Sequence, residues 1–487
     1  MLIALVLAGC AEAEKEGAGS AAEAEPVLAG ETEESADWEV AADRRIREHR
    51  TGTIEVKVVD SEGNPVPDAE VAVEMQAHDY GFGTMIHAEF LSNATQWGGA
   101  LEAGGHTFDE SDQKRYRETA EELFNMIVLE NFHKWNFWED AGNREHADYA
   151  VRWARNRDMD VRGHVAIWGN IDAHAVPPDV TLAAGREPVQ DGDWGEPELD
   201  SAHIVERSMQ HIEDMIEYYA AGEFEDAIVE WEIVNEALHE PTLIKAVDGE
   251  DIDPVTAPIL GEWYSHAERI ADRFDVQIAV NDFNTLAGPY GDVRENYRRQ
   301  IDYLVNDVGV DLDGVGFQVH FAASEILTPE EILEGIDYYD GFDVRFRATE
   351  FDTFQEWGGV RWDSDEHKGE VLYEFLKTFY SHPDTEAFLM WGHWDGVHWG
   401  PEMGFDHDAP LFDLEWNPKP AYDYYTDLVF NQWWTEEAGR VDSDGRFSVT
   451  AFRGAHEVTI TDADGNEHSE RVEVLEAGET VTLRIEL

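Results

Sequence analysis

Cysteine is nearly absent. The 487 residues contain one, Cys10, so no disulfide can form within the chain. Basic residues are also scarce: 34 Lys and Arg stand against 106 Asp and Glu, a formal charge of −72 spread along the whole length. Such a field repels phosphate backbones and anionic lipid, which excludes nucleic acid as a partner. It is the distribution expected where high salt screens self-repulsion, as in a halophile. The N-terminal apolar run, residues 2–9 (LIALVLAG), is too short to span a bilayer. No internal repeat of about 20–50 residues is visible. Zinc-ligand spacings, phosphate-binding glycine loops and nucleotide fingerprints are missing, so neither a metal nor a cofactor is expected.

What is present is a large apolar share, 43%, with 17 Trp. The length suggests one large domain plus something smaller. Residues 1–10 end in Leu7-Ala8-Gly9-Cys10, which resembles a lipoprotein signal-cleavage box, although no Lys or Arg precedes the apolar run. In that reading Cys10 is lipidated and tethers an extracellular protein to the cell surface, its only membrane contact. Residues 11–36 are rich in Ala, Glu and Gly and read as a disordered tether, with a lead-in to residue 50.

Residues 53–59 (TIEVKVV) alternate like a strand, 60–65 form a turn and 69–73 give a second strand. The same short alternation returns at 447–450, 456–460, 470–474 and 480–486. Two strands alone are marginal, whereas both groups together suffice for one sandwich. Segments 51–78 and 436–487 are therefore expected to form one discontinuous all-β domain. Their pattern resembles the carboxypeptidase-regulatory-like sandwich, with "D-x-x-G-x-P-V-x-x-A" and later "D-x-D-G-x-F". The Asp-Gly turns at 442–445 and 462–465 read as hairpin turns in preference to calcium loops.

Between them, 79–430 alternates apolar runs with amphipathic stretches. Eight runs read as buried strands: 80–85, 126–130, 160–168, 228–236, 277–282, 314–320, 345–350 and 387–392. Helical periodicity is clear at 111–124, 144–157, 201–220, 261–274 and 366–380. The chain is thus α/β, a (β/α)8 TIM barrel inserted in a small all-β sandwich. Active sites of such barrels lie at the C-terminal strand ends. Here those ends carry Glu130, His164 with Trp168, Asn235 with Glu236, Asn281 with Asp282, Gln318 with His320, Glu350, and Trp391. Two carboxylates from different strands suit acetal hydrolysis, where one protonates the leaving oxygen and the other meets the oxocarbenium-like centre. Asp352, on the same strand face as Glu350, could orient it through His320. The competing reading is a structural ion-pair network lining the barrel mouth.

At these motifs the chain resembles glycoside hydrolase family 10, the endo-β-1,4-xylanases. Trp231-Glu232-Ile233-Val234-Asn235-Glu236-Ala237 matches the acid/base motif, with Glu232 where Asp is commoner. Thr349-Glu350-Phe351-Asp352 matches the nucleophile motif. Glu130-Asn131-Phe132-His133-Lys134-Trp135, Arg162-Gly163-His164 to Trp168, Asn281-Asp282-Phe283-Asn284 (Phe for Tyr), Gly316 to His320, and Asn417 to Tyr422 match in order. The resemblance covers about 80–425 and implies Glu236 as acid/base and Glu350 as nucleophile, with Asn235, His320 and Asp352 assisting. It implies sugar binding by Glu130, Asn131, Lys134, His164, Trp168, Asn281, Gln318, Trp391 and Trp399. Gly169 stands where many relatives carry His, and 171–200 reads as a long loop over the cleft that could shift cleavage from internal to end-wise. The expected function is retaining cleavage of internal β-1,4-xylosidic bonds of xylan by a monomer. A β-glucanase or cellulase-like barrel, or a non-catalytic carbohydrate-binding surface lipoprotein, remain the alternatives.

Overall fold

The computed structural model describes residues 33–92, 102–103, 106–107, 109–354, 356–357, 360–400 and 408–487. Cys10 and the tether up to residue 32 lie outside the described residues. The last part of the segment read as tether and lead-in is helical: α1 (Glu33–His49). Ala42 and Ile46 are buried, and Arg45 Nε donates to Ser381 Oγ at 3.0 Å. Two apolar residues four apart make a short buried stripe, easily lost among charges in the sequence.

Strands β1 (Thr51–Val59) and β2 (Glu70–His78) follow. The barrel comes next, as β3 (Gly81–Ile86), β4 (Met126–Leu129), β5 (Asp160–Gly163), β6 (Ile228–Asn235), β7 (Gln277–Asp282), β8 (Gly314–Phe317), β9 (Arg345–Thr353) and β10 (Thr385–Met390). Each pairs parallel with the next, and β10 pairs with β3 to close the ring. The outer helices are α2 (Glu110–Leu123), α3 (Ala141–Arg155), α4 (Ser201–Tyr219), α5 (Pro258–Ala271), α6 (Gly291–Asp302), α7 (Pro329–Asp337), α8 (Asp365–Ser381) and α9 (Pro420–Asp427). Helix starts are fixed chemically. Asp109 and Asp112 cap α2 reciprocally, and Thr328 with Glu331 does the same for α7, whose first residue is Pro329. Helices α6 and α7 escaped the periodicity reading: α6 is largely charged and α7 has only nine residues.

Five strands close the chain: β11 (Glu436–Arg440), β12 (Arg446–Phe452), β13 (Gly454–Thr461), β14 (Glu467–Val474) and β15 (Thr480–Glu486). They join the early strands in two sheets, ordered β12-β1-β15 and β11-β2-β13-β14. Ile54, Val56 and Val58 of β1 share a core with Val71, Val73, Val458, Ile460 and Ile485, so the two segments bury one apolar interior. Strand β11 (EEAGR) has no apolar alternation and was invisible in the sequence. Gly439 is required there, since a Cβ would fall 2.5 Å from the Phe447 ring. Asp442 and Asp462 each accept two backbone N–H groups of their own turns, which uses these carboxylates to fix the hairpins.

Arg50 joins this region to the barrel. It is buried between the Tyr80 and Tyr380 rings, 4.9 and 5.0 Å from their centroids. Its guanidinium donates to the carbonyls of Tyr380, His382 and Thr385 at 2.8, 2.5 and 2.9 Å. A buried cation on three carbonyls is a directional latch, because removing it strands acceptors away from water.

Inside the barrel, charge is buried in pairs. Arg162 donates to Glu230 at 2.8 Å and to Glu232 at 2.6 Å, and Arg347 pairs with Glu230 at 2.9 Å. Every partner is essentially inaccessible. Breaking one such pair leaves an uncompensated buried charge, so the ladder ties β5, β6 and β9 in register below the cleft.

Candidate active site

Glu236 immediately follows β6. Its backbone is left-handed, φ 53°, and its N–H donates to Asn281 O at 2.9 Å. Val319, just before His320, is left-handed too, φ 55°, an unfavourable conformation for a β-branched residue. Both outliers sit where strands turn out of the barrel into the cleft, and both aim the adjoining polar side chains.

The carboxylate of Glu236 is held by neutral groups. Trp168 Nε1 donates to Oε2 at 2.8 Å, while Gln318 Nε2 and Asn235 Nδ2 donate to Oε1 at 2.9 and 3.1 Å. Burial, then the negative charges of Asp282 and Glu350, push its pKa up to about 8. At neutral pH Glu236 is therefore largely a protonated acid.

Glu350, on β9, has a different environment. Asn281 Nδ2 donates to its Oε1 at 2.7 Å, and His320 Nε2 stands 3.3 Å from Oε2. The other ring nitrogen of His320 is 2.9 Å from Asp352 Oδ1. Burial opposes protonation of this imidazole, but Asp352 and Glu350 outweigh it and raise it to about 10. Asp352 stays ionised despite burial, held well below the usual carboxylate range by His320 and His398. Trp399 Nε1 also donates to Asp352, at 2.6 Å. An imidazolium thus stands between the side chains of Asp352 and Glu350.

A second cluster flanks this pair. Glu130 is ion-paired with His87, Asn131 Nδ2 donates to Glu130 at 3.2 Å, and Lys134 Nζ donates to Asn131 Oδ1 at 3.0 Å. Burial works against the charge of Glu130, but His87 and Lys134 bring it down to about 2. The Lys134 ammonium lies 4.7 Å above the Trp168 ring, which connects this cluster to Glu236. On the far side, Trp391 meets His164 edge-on at 5.2 Å and His320 at 6.4 Å. The structure brings the strand-end residues singled out as catalytic and sugar-binding together at one barrel mouth.

Sequence reasoning missed His87 and His239, and it named Glu232, Asp282 and Gly169 without reaching what each of them contacts. His87 precedes a short helix and carries no motif. Glu232 stands where Asp is commoner, and its longer side chain reaches both Arg162 and His164 Nδ1, the latter at 3.0 Å. Asp282 accepts from Leu238 N at 3.0 Å and contacts His239 at 2.6 Å, while the His239 ring stacks 3.7 Å from Phe283. Gly169 is explained by a neighbour 71 positions away: a Cβ there would lie 2.3 Å from the Glu240 carbonyl oxygen. Among the described residues, His164, Glu232 and Glu350 come close enough to share a cation. Arg162 already supplies positive charge to Glu232 there.

A protonated carboxylic acid and a second carboxyl group facing an imidazolium, at the ends of different strands, form an acid–nucleophile pair suited to acetal cleavage. Known proteins agree. Endo-1,4-beta-xylanase B of Thermotoga neapolitana is 26% identical over 66% of this chain and 85% of its own length. Anti-sigma-I factor RsgI6 of Acetivibrio thermocellus is 25% identical over 87% of this chain, which matches 47% of that protein. The native xylanase 10B of Thermotoga maritima superposes with a TM-score of 0.56 at 21% identity, covering 73% of this chain and 96% of that one, and supports the barrel fold. The model of glycosyl hydrolase family 10 matches residues 88–428, which hold both glutamates and the closing helix, and the chain belongs to that family.

Proposed function

We propose that the chain is a retaining endo-1,4-β-xylanase. The observation that carries the proposal is the unequal setting of two glutamates: Glu236 lies among neutral donors that leave its proton on, and Glu350 is buried beside the His320 imidazolium. In the first step Glu236 donates its proton to the glycosidic oxygen while Glu350 attacks the anomeric carbon, giving a glycosyl ester and the shortened chain. The ester is neutral, so Glu350 no longer raises the pKa of Glu236. Glu236, now a carboxylate, takes a proton from water as water attacks the anomeric carbon, and Glu350 leaves. Asn281 and His320 hold the Glu350 oxygens throughout. Asn235 reaches both Glu236 and the Asn281 amide, a position from which it can bind a hydroxyl of the reacting sugar.

The xylanases among its relatives support xylan as substrate, as does the cluster of Glu130, Asn131 and Lys134, which offers closely spaced charged and amide groups to hydroxyls. The charge of −72 supports a further part of the proposal, that the enzyme works in concentrated salt.

Three outcomes follow. On xylan, the first-formed reducing ends are β-anomers by proton NMR and release is faster than from mixed-linkage β-glucan. Initial α-anomer would reject Glu350 as nucleophile, and faster release from glucan would reject xylan. Protonated Glu236 is lost as pH rises through about 8, so kcat/KM for xylo-oligosaccharides falls on an alkaline limb near that value. Aryl xylosides with leaving groups that need no proton lose that limb in the Glu236→Gln enzyme; an unmoved limb assigns it to another group. Molar KCl shortens the screening length to about 3 Å, so the thermal midpoint rises from low to molar salt. A flat or falling midpoint contradicts salt dependence and leaves the catalytic roles intact.

A further inference from the structure

Among the described residues, three of the eight large apolar side chains that stand exposed, Val189, Trp194 and Leu199, share one loop. Trp194 is the only tryptophan of that group, 47% exposed. The connection that holds it, interrupted by a short helix at Pro178–Ala183, runs from Trp168, the hydrogen-bond donor to Glu236, to the start of α4, and so belongs to the cleft-bearing face of the barrel. Its beginning borders the cleft rim, where the charges of Asp172 and Arg186 act on Glu240, four residues past Glu236.

The indole is fixed in place. Trp194 Nε1 donates to Gln190 O at 2.9 Å, and Gln190 Nε2 donates to Val176 O at 3.2 Å. Further along, Glu198 N and Asp200 N donate to Leu182 O and Ala183 O at 3.1 and 2.8 Å. Gly192 lies against the ring: a Cβ there would come within 2.3 Å of it. The Gly192 backbone thus packs against the indole and Gln190 satisfies its only polar atom, while 47% of the residue stays open to solvent as an apolar surface. Asp191, Asp193 and Glu196 around it are exposed. Carboxylates beside an aromatic face suit a pyranose ring, which stacks its axial C–H face and donates its hydroxyls. A neutral polymer also meets no repulsion from the acidic surface, whereas most proteins would.

We propose that Trp194 is a sugar-stacking platform outside the catalytic cleft, holding a neutral β-1,4-linked pentose polymer by one ring face. The proposal rests on the xylanase reading of the cleft. It is tested with the full chain carrying Glu350→Gln, which binds without turnover, by electrophoresis in gels containing soluble xylan. Adding Trp194→Ala weakens retention roughly threefold to tenfold. Gly192→Ala, which displaces the indole without removing it, acts in the same direction. In the enzyme with Glu350 intact, Trp194→Ala leaves kcat/KM on an aryl β-xylobioside within about twofold, since stacking outside the cleft adds nothing to so short a substrate. Unchanged retention in xylan, or equal losses on the aryl substrate and in the gel, would overturn the platform. Trp194-dependent retention in an otherwise wild-type chain that never cleaves the aryl xylobioside would instead overturn the xylanase reading and leave the platform standing.

Discussion

Two carboxylates in one largely buried barrel mouth cannot both carry an uncompensated charge, and the rest of the site is arranged around that constraint. His320 supplies a cation to one of them, Glu350, and is itself kept charged by Asp352 behind it. Glu236 is hydrogen-bonded by Trp168, Gln318 and Asn235, all neutral, and burial keeps its proton on. The division of labour between acid and nucleophile is therefore set by which carboxylate the imidazole can reach. Because covalent chemistry at Glu350 removes its charge, the same geometry also lets Glu236 change role between the two steps.

Holding that geometry is the work of the ring of strands beneath it. The Arg162, Glu230, Glu232 and Arg347 ladder crosses the barrel interior and links three strands whose ends carry His164, Glu236 and Glu350. A purely apolar interior would pack equally densely, but paired charges tolerate little sliding of one strand against another. At the opposite end Arg50, just before β1, is latched to the carbonyls of Tyr380, His382 and Thr385 at the start of β10, which ties the terminal sheets to the barrel away from the cleft.

Much of this was legible in the sequence because strand ends in a closed parallel barrel converge: polar residues after apolar runs are forced towards one mouth. The eight strands follow from that rule, whereas the choice of Glu236 and Glu350 among the strand-end carboxylates came from the resemblance to family 10 motifs. What stayed hidden depends on contacts across the fold. Gly169 is small because the Glu240 backbone crosses it, and Glu232 is long because it must reach both Arg162 and His164. Strand β11 is written in residues that no alternation marks, and α1 buries too few apolar side chains for its stripe to stand out. The protonation of Glu236 also lay outside sequence reach, since it results from burial and from two acids, Asp282 and Glu350, on other strands.

The central claim, that Glu350 is the nucleophile that bonds to the sugar, is tested most directly by covalent trapping. A 2-deoxy-2-fluoro-β-xylobioside with an activated leaving group slows both displacement steps, and the activated departure allows the first to proceed. Peptide mass spectrometry of the inactivated enzyme should find one fluoro-xylobiosyl group, on the peptide carrying Glu350, and none on the Glu350→Gln protein. A label on Glu236 or elsewhere, or continued turnover with no label, would contradict the account.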